Sequence, residues 1–283
     1  MSNILKLIRV EQWLKNLLIF SIPIFANQFD KEIFFELLNI FFGFSLIASS
    51  GYIVNDIFDL ESDKNHYLKS KRVLAAGIIS VSNAKKIFIV IFSIGCLVLA
   101  LENLNALFLS LLYLLLSILY SKYLKYFKYV DLVLISSFFV LRVYLGSIST
   151  GIEASLFLIL LIYFSSLSIV TGKKLSILLD KKIKISKIKE TVTKNYDSNF
   201  LKKLQIFSIN ATFITFNFWI FFGSETDLIF IFSDIFLILF SLKFYKLTKE
   251  SKTEDFIDVL KSEKAFSLNI FLFILFTLFG IVF

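Results

Sequence analysis

Asp56, Asp59, Glu61 and Asp63, followed by His66, Lys69, Lys71 and Arg72, lie within residues 55–77, NDIFDLESDKNHYLKSKRVLAAG, between two apolar segments. If the helix entering from Phe34 continues through them, Asp56, Asp59 and Asp63 recur at i, i+3 and i+7 and their side chains stack on one face. Three carboxylates so placed repel one another. A hard divalent cation between them removes that repulsion, and Mg²⁺ characteristically binds through one or two carboxylates, several waters and substrate phosphates. The spacing therefore points to a Mg²⁺ and diphosphate site at a membrane surface. The plain alternative is a solvated acidic loop followed by basic residues that face the cytosol. Such a loop requires neither the helical register of the aspartates nor Asn55 beside them.

Other charged groups extend this chemistry. Lys69, Lys71 and Arg72 can take phosphate oxygens that a metal leaves uncovered. His66 is the chain's one histidine, which excludes paired histidine ligands and leaves a proton acceptor, a hydrogen bond to ribose or phosphate, or a partly solvated structural role. RVEQWLKNLLIF brings Arg9, Gln12, Trp13, Lys15 and Asn16 to the end of an apolar run, where Trp and Lys commonly anchor a helix at the interface. In VDLVLISSFFVLRVYLGSI, Asp131 and Arg142 are separated by about 16 Å of helix. A charge that deep costs roughly 2.5–3.5 kcal/mol unless it is paired or faces a polar cavity. Arg142 is thus a candidate for a phosphate entering from the membrane, or one half of a buried ion pair with Asp234. Lys173 and Lys174 stand at a helix end, Asp180 follows, and the lysines beyond it read as surface charge and lipid contacts. Asp255 and Asp258, in TEDFIDVLKSEK, can approach a sugar or a metal, or belong to a solvated amphipathic turn. Cys96 stands alone in an apolar run, so it offers neither an intrachain disulfide nor a metal cluster.

The elements that must position these groups are membrane helices. Hydrophobic residues make up 57% of the 283, with 36 Phe, and charged residues only 18%. The apolar residues come in runs near the length of a bilayer and are apolar all round, which excludes an ordinary soluble fold and the alternating pattern of a β-barrel. An all-α polytopic membrane protein follows, with spans near 14–29, 33–54, 85–101, 104–120, 130–148, 154–171, 204–222, 227–245 and 265–283. The first is the weakest, being short and holding the only proline, Pro23. With a cytoplasmic N-terminus, 28 of the 30 Lys and Arg fall in inner segments, so the positive-inside rule sets the orientation. That asymmetry also accounts for the net charge of +8 without any nucleic acid partner, since the basic loops face anionic headgroups and cytosolic solutes. No cleavable signal peptide is expected, because Lys6, Arg9, Glu11 and Lys15 precede the first apolar run and no small-residue cleavage site follows it. No break in composition divides the chain, and a single transmembrane domain over 1–283 is expected.

In order, QWLKN, NDIFDLESDKNHYLKSKR, YVDLVLISSFFVLRVYLGS, GKKLSILL and EDFIDVLKSEK resemble the successive motifs of the decaprenyl-phosphate phosphoribosyltransferase branch of the UbiA-type intramembrane prenyltransferases. The resemblance implies nine transmembrane helices around a central cavity with a cytosolic cap. It implies transfer of 5-phosphoribose from phosphoribosyl diphosphate to a polyprenyl phosphate, releasing diphosphate with Mg²⁺, for cell-envelope polysaccharide precursors at the cytosolic face of a bacterial inner membrane. Asn55, Asp56, Asp59 and Asp63 match the metal-diphosphate motif, whose aspartates carry the catalysis, Lys15 the N-terminal signature, and Arg72 the last basic residue after the aspartates. Arg142, Lys173 and Lys174 would then supply cations for the acceptor phosphate, with Lys69, Asp255 and Asp258 as further substrate contacts. Tyr67 and Val73 stand where that family usually has prolines, and Ile177 where it has a glutamate. Superfamily members that use prenyl diphosphates have a second Asp-rich motif after the sixth span, whereas ten basic residues crowd 172–203 here. The alternatives are a prenyltransferase acting on an aromatic or other small acceptor, and a noncatalytic transporter or channel.

Overall fold

The computed structural model describes residues 3–65, 69–180, 196–223 and 229–282, and every regular element among them is helical. In chain order these are α1 (Asn3–Leu7), a 3₁₀ helix (Val10–Phe20), α2 (Ser21–Phe25), α3 (Lys31–Phe58), α4 (Leu60–Lys64), a 3₁₀ turn (Lys69–Lys71), α5 (Val81–Glu102), α6 (Leu104–Lys122), a second 3₁₀ turn (Leu124–Tyr126), α7 (Val130–Thr150), α8 (Leu156–Leu179), α9 (Ser198–Gly223), α10 (Ile229–Lys249), α11 (Phe256–Ser262) and α12 (Lys264–Val282). Seven of them, α3, α5, α6, α7, α8, α9 and α12, are long and apolar enough to cross a membrane. The eighth expected span is α10, 21 residues long, whose sequence carries Asp234, Lys243, Lys246 and Lys249. The first expected span, 14–29, is not one α-helix. Pro23 is tolerated only in the first turn of an α-helix, where its missing N–H is not needed. The α-helical hydrogen bonding accordingly restarts at Ser21, two residues before it, and the preceding segment winds as a 3₁₀ helix.

Helix starts follow from local side chains. Asp30 accepts the Ile33 N–H at 2.9 Å, Ser80 that of Asn83 at 3.2 Å, and Asn103 that of Ala106 at 3.0 Å. Each satisfies one of the orphan donors of a helix N-terminus. Asn103 is also the C-cap of α5, so the hairpin from α5 to α6 turns on one residue.

The residues group into two compact units, Met1–Phe127 with Leu141–Glu153, and Lys128–Val140 with Ala154–Phe283, so that α7 contributes its two halves to different units. In the first unit α3 is the central helix, packed against α5, α6 and the 3₁₀ helix. Its buried face includes Leu37, Ile40, Phe44, Ile47 and Ile53. A side chain on Gly95 of α5 would come within 3.0 Å of the Gly43 carbonyl oxygen on α3. Membrane helices approach closely at such small residues, because lipid gives no hydrophobic drive and contact must come from packing. In the second unit α8 runs along α9 and α10 along α12. One cluster there joins Leu132, Leu167, Val170, Leu175, Tyr196 and Leu201, and another joins Phe244, Leu247, Val259 and Phe266. The Thr253 hydroxyl donates to the Gly172 carbonyl at 3.1 Å and its N–H donates to Ser176 at 3.1 Å, which fixes the chain between α10 and α11 against the end of α8.

Candidate active site

The aspartates sit where α3 gives way to α4. The two helices are joined at Asp59, with the Asp59 N–H on the Asn55 carbonyl at 2.9 Å and the Asp63 N–H on the Asp59 carbonyl at 2.8 Å. The backbone thus keeps nearly helical spacing, yet Asp59 itself leaves the helix at φ −90°, ψ 3°. This departs from the uninterrupted helical face expected from the sequence. Asp56 and Asp63 are buried, 5% and 3% exposed, and one guanidinium lies between them: Arg72 Nη1 is 2.6 Å from Asp63 Oδ2 and 3.4 Å from Asp56 Oδ1. Arg9 Nη2 donates to the same Asp56 oxygen. Asp59 instead receives the ammonium of Lys125. The stacked trio is therefore a pair sharing an arginine, plus one aspartate held by a lysine, and among the described residues no three acidic, histidine or cysteine groups converge as a metal cluster.

Arg9 reaches Asp56 through an uncommon backbone. It joins α1 to the 3₁₀ helix at φ 53°, ψ 53°, a left-handed conformation that costs an L-residue about 1–2 kcal/mol. Its charge-assisted bond to Asp56 and its position 5.2 Å over the Tyr52 ring offset that cost.

The 3₁₀ helix then explains the N-terminal motif. With three residues per turn, side chains at i and i+3 eclipse, so Val10, Trp13, Asn16 and Ile19 share a face. That face meets α3: the Trp13 indole N–H donates to Ser49 at 3.0 Å and the Asn16 amide to Ser45 at 2.8 Å, while Ser49 donates to the Ile8 carbonyl at 2.7 Å. A period of three on one helix is matched to a period of four on the other. The Asn16 carbonyl oxygen accepts from Arg142 Nε at 2.8 Å, and Arg142 Nη2 donates to the Tyr113 hydroxyl at 3.1 Å. The Arg142 guanidinium lies 5.4 Å from the Phe44 ring centre and 5.1 Å from that of Tyr113. One turn along α7, a side chain on Gly146 would come within 2.0 Å of the Ile19 carbonyl oxygen. Glycine is required there for the 3₁₀ helix to lie against α7.

The remaining candidates are dispersed. Asn55 is partly buried on α3, one residue before Asp56, and Lys15 is partly exposed on the 3₁₀ helix beside, not on, the face that meets α3. Lys69 is partly buried at the start of the 3₁₀ turn Lys69–Lys71, where its carbonyl accepts the Arg72 N–H at 2.9 Å. Lys173 is exposed near the end of α8. Lys174, expected to offer its charge to a phosphate, is 7% exposed and pairs with the fully buried Asp131. The Tyr196 hydroxyl donates to Asp131 and accepts the Tyr129 N–H at 2.7 Å. Burial and then the bond to Asp131 push the Tyr196 hydroxyl above the ordinary tyrosine range, so it remains a donor through neutral pH. Asp234, proposed as an ion-pair partner for Arg142, instead accepts from Asn217 at 3.0 Å. Asp255 caps α11, taking the Ile257 N–H at 2.8 Å, and Asp258 is exposed in its first turn. His66 and the lysine run 181–195 lie outside the described residues. Arg9 and Lys125 were not singled out from sequence as site residues, and their carboxylate partners lie 47 and 66 residues away.

The description of the UbiA prenyltransferase family matches residues 17–270. Decaprenyl-phosphate phosphoribosyltransferase of Corynebacterium glutamicum is 29% identical over 223 residues, covering 77% of this chain and 67% of that protein. The enzyme of the same name from Mycobacterium tuberculosis is 28% identical over 225 residues, covering 78% of this chain and 74% of its own. Among solved structures, a UbiA homolog from Archaeoglobus fulgidus bound to DMAPP and Mg²⁺ superposes with a TM-score of 0.70 at 18% identity, covering 99% of each chain.

Proposed function

Because the chain belongs to the UbiA prenyltransferase family, and is thus an all-α, multi-pass membrane enzyme, we propose that it transfers 5-phosphoribose from phosphoribosyl diphosphate to a polyprenyl phosphate. One observation carries the donor half of this reading: two buried carboxylates, Asp56 and Asp63, share the Arg72 guanidinium, with Arg9 also on Asp56 and Lys125 on the neighbouring Asp59. Hard oxygen donors around a position that already holds positive charge suit Mg²⁺, which needs only one or two protein carboxylates when phosphates supply the rest. Asp56 and Asp63 would hold the metal, with Asn55 and Asp59 at its margin. When bound, Mg²⁺ supplies Lewis-acid neutralisation of the leaving diphosphate.

The chain's own residues do the positioning. Arg72 and Lys69 would hold the diphosphate end of the donor, and the Asp59 carboxylate would favour positive character at the ribose carbon as the bond to diphosphate lengthens. An acceptor phosphate is already anionic, so no strong general base is required, and orientation carries the rate. Arg142, buried in α7 and held by Asn16 and Tyr113, is the cation proposed to meet that phosphate from the lipid side. The names of the Corynebacterium and Mycobacterium relatives support this substrate pair. The dense lysines after α8 and the orientation set by Lys and Arg support a cytosolic donor site in a bacterial inner membrane, on one transmembrane domain.

A second reading, transfer of a polyprenyl chain from a prenyl diphosphate, rests on the Archaeoglobus homolog solved with DMAPP and Mg²⁺. Purified protein given each donor separately distinguishes them. Consumption of phosphoribosyl diphosphate that depends on added polyprenyl phosphate supports the first reading. Turnover of a prenyl diphosphate in the presence of a small aromatic or other acceptor, with phosphoribosyl diphosphate inert, replaces it with the second.

A further inference from the structure

Each aspartate of the cluster already has a basic partner: Arg9 on Asp56, Arg72 across Asp56 and Asp63, and Lys125 on Asp59. The three cations come from separate places, the junction after α1, the turn after α4 and the 3₁₀ turn after α6, and their charge equals that of the three carboxylates. Two of those carboxylates are buried, so their partners are not screened away by water as surface pairs are. A divalent ion entering alone would bring surplus positive charge and would turn Arg9, Arg72 and Lys125 off their carboxylates with no anion to receive them. A diphosphate entering alone would set its oxygens against the aspartates. Together the two are nearly neutral, and they exchange partners with the cluster: carboxylate oxygens pass from guanidinium and ammonium to the metal, and the freed donors pass to phosphate oxygens.

Resting on the diphosphate reading above, we propose that Arg9, Arg72 and Lys125 are resident counter-ions of the aspartates, so that divalent metal and diphosphate enter as one complex and neither binds tightly without the other. This gives Arg9 and Lys125 a role in ligand binding, and it makes the donor's diphosphate part of the metal's own site. Coupling of this kind is reciprocal, the metal raising diphosphate affinity by the factor that diphosphate raises the metal's. It also implies that the protein does not hold a metal between turnovers, since departure of diphosphate returns the carboxylates to Arg9, Arg72 and Lys125.

The test is equilibrium dialysis of the detergent-solubilised full chain against Mn²⁺ and labelled inorganic diphosphate, each alone and both together, reading protein-bound ligand instead of turnover. Each ligand is expected to bind at least tenfold more tightly in the presence of the other. Arg72→Gln, which uncovers Asp63 and leaves Asp56 to Arg9 alone, is expected to bind Mn²⁺ alone at least tenfold more tightly than the wild type while losing most of the joint binding. Lys125→Gln should shift both in the same directions and serves if Arg72→Gln does not fold. Independent binding of Mn²⁺ and diphosphate, or no gain in metal-only affinity in either variant, overturns partner exchange and leaves the diphosphate site standing. Binding of neither ligand, alone or together, overturns both.

Discussion

Asp56 and Asp63 share Arg72 while Asp59 faces Lys125, so asparagine has different consequences at the three positions. Asp56→Asn or Asp63→Asn removes a buried carboxylate from the proposed metal position and leaves a guanidinium without its full partner. Loss of several kcal/mol of charge stabilisation, at 1.36 kcal/mol per tenfold, gives an expected fall in turnover of about a hundredfold or more. Asp59→Asn should cost less in folding, because Asp59 is the more exposed of the three, and should still lower turnover by at least tenfold. Steady-state rates on protein that elutes as the folded species check both, and near-normal rates in all three would remove the cluster from the mechanism. Arg142→Lys keeps the charge but loses the fork that holds Asn16 and Tyr113 and can grip a phosphate. A tenfold higher KM for polyprenyl phosphate is expected, about 1.4 kcal/mol of binding, with the donor KM unchanged. If only the donor KM moves, Arg142 serves the diphosphate end. At this scale the aspartates were legible because their spacing is local. Arg9 and Lys125 were not, because their meaning depends on partners brought close only by the fold, and Lys174 and Asp255 read as ligands when the structure uses them in an ion pair and a helix cap.

The 3₁₀ helix is the element that carries the N-terminal residues to the site, and its stability should track its polar face. Asn16→Leu removes the bond from Arg142 Nε and the bond to the Ser45 hydroxyl, at about 1–3 kcal/mol. Trp13→Phe removes one bond while Ser49 keeps its own to Ile8, at about 1 kcal/mol. Gly146→Ala pushes a methyl into the Ile19 carbonyl, an overpacking that costs about 1–3 kcal/mol. Thermal unfolding in detergent should rank Trp13→Phe mildest, and equal melting of Gly146→Ala and wild type would contradict the close approach. The long helices were legible from apolar runs. The 3₁₀ winding was less so: an apolar stretch with one proline fits a kinked α-helix equally well until its three-residue face is matched to the serines of α3.

At the scale of the whole molecule, the Lys and Arg asymmetry makes orientation testable without a structure. A membrane-impermeant thiol label applied outside sealed cells should modify Asn103→Cys and not Asn65→Cys, and modification of the latter would place the donor site on the wrong side. Fold class and family membership were available from hydropathy and from five motifs in order. What composition cannot supply is the identity of the substrate pair, since a metal-bound diphosphate leaving group serves a prenyl chain as well as a ribose. The decisive measurement uses phosphoribosyl diphosphate labelled separately in the ribose and in the diphosphate, incubated with purified protein, Mg²⁺ and polyprenyl phosphate, followed by solvent partition. Ribose label is expected in the lipid phase in equal amount to diphosphate label released to water, with both lost in Asp56→Asn. Ribose label that stays in water, with no diphosphate label released from it, would contradict phosphoribosyl transfer.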